Sequence, residues 1–215
     1  TMDNDNIKEM GGVQNARMVR EFNADDMTRL GSEKLANMAD TMDNDNIKEM
    51  GGQQNARMAK QFNAADMTRL GSEKLTAMAG TMDNDNIREL GGQQNARMVR
   101  EFNADDMKAV GREKLAAMAD TMDNDNIKEM GGQQNTRMVK EFNANDMKSL
   151  GREKLAAIAT TMDHEDNFKE MGSDKVVLLA KELDGKTLSE IGDKQAKGMA
   201  KTMKREHIST LESEQ

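Results

Sequence analysis

The residues of this 215-residue chain that could carry chemistry are its acids, two histidines and a recurring asparagine. His164 and His207 lie 43 residues apart, with Glu165 and Asp166 beside the first. A metal pair is conceivable there, but two isolated imidazoles among ordinary acids read as solvated surface residues. The chain has no Cys, so it has no thiolate nucleophile, no disulfide framework and no Cys-based zinc site. No Ser–His–Asp set recurs at workable spacing, and no glycine-rich phosphate loop follows a strand pattern. Catalysis needs unique groups with perturbed pKa in a cleft. Near-identical modules supply many copies of ordinary groups instead. The chain is therefore expected to be no enzyme, with no catalytic residue, cofactor, metal or small-molecule substrate.

Asp3-Asn4-Asp5-Asn6 places alternate oxygens as at the start of an EF-hand loop. The match then fails. Counting from Asp3, the fifth place is Ile7, the sixth is Lys8 rather than glycine, and the twelfth is Gln14, so no acid closes the loop. Helix capping explains these acids better. The most suggestive polar feature is Asn15, Asn55, Asn95 and Asn135, which replace Leu35, Leu75, Leu115 and Leu155 of the alternate modules. Either odd helices are more exposed at this place, or the asparagines form a ladder along one edge that contacts a partner or fixes stacking register. These four are the candidate partner-contact edge.

The elements that must position such residues are repeats, which govern the whole reading. Thr1–Asp40, Thr41–Gly80, Thr81–Asp120 and Thr121–Thr160 are near-identical 40-residue units. A diverged copy starts at Thr161, with one extra residue in Met162–Phe168. Superposing Met2–Gly11 on Phe22–Gly31 aligns the apolar residues and the glycine, so the true module is 20 residues. Its glycine recurs at Gly11, Gly31, Gly51, Gly71, Gly91, Gly111, Gly131, Gly151, Gly172 and Gly192, and Glu212 takes that place in a truncated eleventh module.

Each module reads as two short helices. The first opens at Asp3 or Asn23, with Asn6 or Asp26 three residues on, as in a capping box. Ile7 and Met10, or Met27 and Leu30, share one face, and glycine ends the helix. The second opens at Ser32 or Gly12, although Arg112 and Arg152 occupy that place later and cap poorly. It carries the stripe Leu35, Met38, Ala39, Met42, or Asn15, Met18, Val19, Phe22 in alternate modules. Asp43 then turns the chain directly into the next helix.

Helices this short are marginal alone, so modules must stack and share a core. Ile, Leu, Val and Phe number only 32, so the 22 Met have to serve as core. A Met-rich core packs adaptably, which predicts a flexible rod. The expected fold is an all-α solenoid of either hand, with residues 1–160 as four repeats and 161–215 as a C-terminal cap. Val176, Val177, Leu178 and Leu179 give that cap its apolar density.

The order helix, Gly11-Gly12, helix resembles the modular repeats of TAL-effector-like DNA-binding proteins, which implies nucleic-acid binding. Those repeats differ in size and carry a variable pair that reads each base. Here the pair recurs unchanged as Gly51-Gly52, Gly91-Gly92 and Gly131-Gly132, and would read one base only. Net charge is −8, or −3, 0, −2 and 0 for the four units and −3 for the tail. That opposes binding to polyphosphate and to anionic membranes. Only Lys194, Lys197, Lys201, Lys204 and Arg205 form a basic run, read as a solvated helix face. No apolar run is long enough to span a bilayer. The chain starts on Thr1 without a basic-then-apolar leader, and compartment stays open. A structural or spacer array within a longer protein or polymer is expected. A protein partner or head-to-tail self-association is expected too, with a peptide-binding solenoid as the rival class.

Overall fold

A computed structural model describes residues 3–204, which form eighteen helices and no strand. The all-helical expectation holds. Arg205, His207, Glu212 and the eleventh module beyond Lys204 lie outside the described residues. The chain divides into two compact units, Thr1–Thr121 and Met122–Gln215.

The first unit contains α1 (Asn4–Glu21), α2 (Ala24–Leu30), α3 (Ser32–Thr41), α4 (Asn44–Met50), α5 (Gly52–Gln61), α6 (Ala64–Thr81), α7 (Asn84–Leu90), α8 (Gly92–Glu101), α9 (Ala104–Val110) and α10 (Arg112–Thr121). Helix starts follow the capping boxes. Asp3 Oδ1 accepts from Asn6 N at 2.9 Å while Asn6 Oδ1 accepts from Asp3 N at 3.2 Å. Asn23 and Asp26 exchange the same pair of bonds. These contacts assign the Asp3–Asn6 segment to capping.

Gly31 ends α2 with φ 83° and ψ 163°, a conformation that a side chain would strain. It also serves as the N-cap of α3, without a side-chain bond. The second helix therefore starts one residue earlier than the sequence implies. Ser32 is its first helical residue rather than its cap, and Arg112 and Arg152 likewise open α10 and its counterpart in the second unit. This explains why arginine is tolerated there: the glycine backbone makes the turn and no side chain caps. At Gly11 and Gly71 the same kink lies inside α1 and α6. The return connection needs no glycine. Met42 and Asp43 are extended, and the Asp43 side chain accepts from Asn46 N.

Ile7, Met27, Ile47, Met67, Ile87 and Met107 are fully buried, as are Met38, Met58, Met78, Met98 and Met118. Methionine at a fixed helical place is core here. In the first unit α1 packs on α3 and α4, α5 on α6 and α7, α6 on α8 and α9, and α10 on α7, α8 and α9. A helix thus finds its neighbours within the next two modules.

The second unit contains α11 (Asn124–Met130), α12 (Gly132–Glu141), α13 (Ala144–Leu150), α14 (Arg152–Thr161), α15 (Glu165–Met171), α16 (Ser173–Glu182), α17 (Gly185–Glu190) and α18 (Asp193–Thr202). The pattern recurs: α12 packs on α14 and α15, α13 on α16, and α15 on α18. The extra residue is absorbed in the link before α15, where Asp163 N donates to Thr161 O and Asn167 N to His164 O. Phe168 then takes the buried place of Ile127. Gly198 makes room for it, since a Cβ there would lie 2.7 Å from Phe168 Cδ2.

Candidate functional site

Asn15, Asn55, Asn95 and Asn135 are all fully buried. Neither exposed odd helices nor an accessible partner-contact edge describes them. Asn15 Nδ2 donates to Ile7 O and to Thr41 Oγ1, both at 2.8 Å. Asn55 does so to Ile47 O and Thr81 Oγ1, and Asn95 to Ile87 O and Thr121 Oγ1. In the second unit Asn135 bonds Ile127 O and Thr161 Oγ1. Each threonine hydroxyl in turn donates to the carbonyl three residues back, as Thr41 does to Met38 O at 2.7 Å. The hydroxyl proton is thereby committed, so its oxygen can only accept, and the amide NH2 must face it. One asparagine ties together the two helices of its own module and the end of the next. The four Oδ1 atoms are buried with no hydrogen-bond partner.

A second joint was not read from the sequence. Three residues after the module glycine, a side chain reaches back to the end of the helix two modules earlier. Gln54 Nε2 donates to Val19 O, Arg20 O and Phe22 O at 2.8, 2.8 and 3.0 Å. Gln94 repeats this on Ala59 O, Lys60 O and Phe62 O. In alternate modules lysine does the same work. Lys74 Nζ donates to Ala39 O and Asp40 O, and Lys114 Nζ to Gly80 O. Lys175 to Phe142 O and Gln195 to Thr160 O continue the rule in the second unit. These donors satisfy the carbonyls that a helix end leaves open. Burial pushes the Lys114 ammonium below its usual range, with Asp83 opposing in part. The sequence shows only that Gln and Lys alternate at one fixed place from Gln14 to Lys154 and swap in the tail at Lys175 and Gln195; what they bond is not written there.

Gly12, Gly52 and Gly132, each the second glycine of its pair, are contact residues. A Cβ on Gly12 would collide with Thr41 O and lie 2.9 Å from Met42 Cα. Their invariance follows from the close approach of the next unit's turn.

Compared with protein-family models, with curated proteins and with solved structures, the chain matches none of them.

The remaining candidates are ordinary. His164 is exposed, with Nε2 3.7 Å from Asp163 Oδ1. Among the described residues no three His, Cys, Asp or Glu stand close enough to hold a metal ion. No described helix is long and apolar enough to cross a membrane. In the basic run, Lys201 pairs with Glu165 across α18 and α15, and that hydrogen bond holds the Glu165 carboxyl below its usual range. Asp184 caps α17: it accepts from Thr187 N and Thr187 Oγ1, both at 2.8 Å, and pairs with Arg152 at 2.5 Å. The Thr187 bonds lead in lowering its pKa.

Proposed function

We propose that the chain is a non-enzymatic structural array, an α-solenoid of 20-residue two-helix modules that sets a length and presents a repeated surface. The observation that carries this reading is the Asn15–Thr41 joint, repeated every 40 residues. Polar side chains that recur at fixed places are committed to neighbouring modules, by the asparagine joint and by the Gln or Lys that closes an earlier helix. Selection on such a chain acts on copy number and geometry. Residues 161–215 serve as the C-terminal cap.

Head-to-tail addition of like units belongs to the same reading. Val13 is 51% exposed, whereas its counterparts forty residues apart are Gln53, Gln93 and Gln133. Met18 and Phe22 are half-buried while Met58 and Phe62 are closed off, and Gln14, the counterpart of Gln54, is exposed. A further unit supplies the missing cover and the carbonyls that Gln14 would cap. The rival peptide-binding reading loses its proposed edge, because the asparagines are internal.

Proteins with two, three, four and five 40-residue units ahead of the tail test the proposal. Small-angle scattering should give a maximum dimension that rises linearly with copy number. A dimension that stays constant as units are added overturns it.

A further inference from the structure

In the first repeat junction, Arg69 of α6 fills the space against α3. Its Nη1 donates to Asn37 Oδ1 at 2.7 Å, and its Nη2 lies 3.8 Å from Asp66 Oδ1. Forty residues on, the same junction has lost the filler and kept the acid. Ala109 stands for Arg69, Ala77 for Asn37 and Gly80 for Asp40, while Asp106 stands for Asp66. A cleft of about 420 Å3 opens there, lined by these four residues, Thr76 and Glu73 among others.

Its polar equipment fits one chemistry. The Thr76 hydroxyl is buried with no hydrogen-bond partner. Asp106 Oδ2 accepts from Asn103 N at 2.8 Å, as Asp66 Oδ2 does from Asn63 N. The other Asp106 oxygen corresponds to the one that faces Arg69 in the preceding junction. Glu73 adds a second carboxylate, held by Asn44 Nδ2 at 2.8 Å. Lys48 is the one cation among the lining residues, with Nζ 3.7 Å from Asp45 Oδ1, while the Lys114 ammonium is committed to the carbonyl of the lining Gly80. Lys8 holds the corresponding place in the preceding unit, where Arg69 is accommodated. Two carboxylates oppose an anionic ligand. A planar fork of N–H donors matches a carboxylate and a hydroxyl acceptor better than a compact ammonium does.

We propose that this cleft between α4, α6 and α9 binds the guanidinium of an arginine side chain presented by a partner polypeptide, in the place that Arg69 fills in cis one unit earlier. The partner is thus an arginine-bearing segment.

The test is titration of the full chain with a blocked arginine amide, followed by backbone amide NMR. Ala77, Gly80 and Ala109 should shift saturably, with a blocked lysine amide weaker by about ten-fold. Ala109→Arg should abolish the shifts by filling the cleft from within. Asp106→Asn, which keeps an oxygen for Asn103 N, should weaken binding while leaving the melting curve in place. Arg69→Ala should open a second cleft and add shifts at Asn37 and Asp66. Absence of saturable shifts at 77, 80 and 109, equal binding of the lysine amide, or binding retained in Ala109→Arg overturns the proposal.

Discussion

Asn55 Nδ2 lies 2.9 Å from Thr81 Oγ1, and that single bond ties one module's second helix to the end of the next. At the alternate joint the same helical place holds a fully buried leucine, Leu75. The 20-residue module therefore becomes a 40-residue building block through a polar joint used every second time.

Asn55→Ala should destabilise the chain by about 1–3 kcal/mol, because Ile47 O and Thr81 Oγ1 lose a buried donor. Thr81→Val should cost less in the Asn55→Ala background than in the wild type. A double-mutant cycle from chemical denaturation should give a coupling of about 0.5–1.5 kcal/mol. Additive losses would mean that the bond carries no specific coupling.

Gly52 and Gly80 should respond oppositely to alanine. A Cβ on Gly52 would collide with Thr81 O and Asn86 Oδ1 and lie 2.9 Å from Met82 Cα, so Gly52→Ala must push two repeats apart. A Cβ on Gly80 meets nothing within 4 Å. Gly80→Ala should stabilise α6 by up to about 1 kcal/mol, the difference in helix propensity. Paired thermal melts decide it, and a Gly52→Ala protein as stable as the parent contradicts the close-approach argument.

Local elements were legible in the sequence because their causes are local. Asp3 with Asn6, the glycine stops and the Leu35–Met38–Ala39 stripe each act within one module. The asparagine site was visible as an anomaly, but its environment was not. Whether Asn15 faces solvent depends on Thr41, 26 residues away, and on a helix packing that composition does not encode. Gln54 was missed because its acceptors are backbone carbonyls, which leave no sequence signature. Ser32 was misplaced by one residue because a glycine with positive φ caps both helices at once.

Lys114 gives a pH dependence. Its pKa is lowered in the folded state, chiefly by burial. The unfolded chain therefore holds this proton more tightly than the folded one, and stability rises as pH climbs from the folded pKa to the unfolded value of 10.5. Lys114→Gln, the residue that alternate modules use here, keeps a donor for Gly80 O without a buried charge. The variant should melt higher than wild type at pH 7, and the gap should narrow as pH approaches 10.5. A gap that widens over that range contradicts the assignment.

Phe168 and Gly198 should behave as one unit. Gly198→Ala places a Cβ 2.7 Å from Phe168 Cδ2, a ring that is almost fully buried. Overpacking of this kind costs about 1–3 kcal/mol. Phe168→Ile restores the residue found at positions 7, 47, 87 and 127, and should relieve most of the loss when combined with Gly198→Ala. Equal losses in the single and double variants would show that the ring does not set the fit.

The tail from Thr161 is the last test of the cap reading. Within it α15 packs on α12, α16 packs on α13 and α14, and α18 packs on α15 and α16, while Lys175 closes Phe142 O and Gln195 of α18 reaches Thr160 O. Removing residues 162–215 keeps Thr161, so Asn135 retains its acceptor and the asparagine joint is not the variable. What is lost is cover over Phe142, Leu155 and Ile158, all fully buried in the intact chain. Exposed apolar repeat faces associate, because no polar outer surface ends the stack. Sedimentation velocity should show concentration-dependent association, and the melt should broaden. A shortened chain that stays monomeric with an unchanged, cooperative melt means that the tail is not a cap.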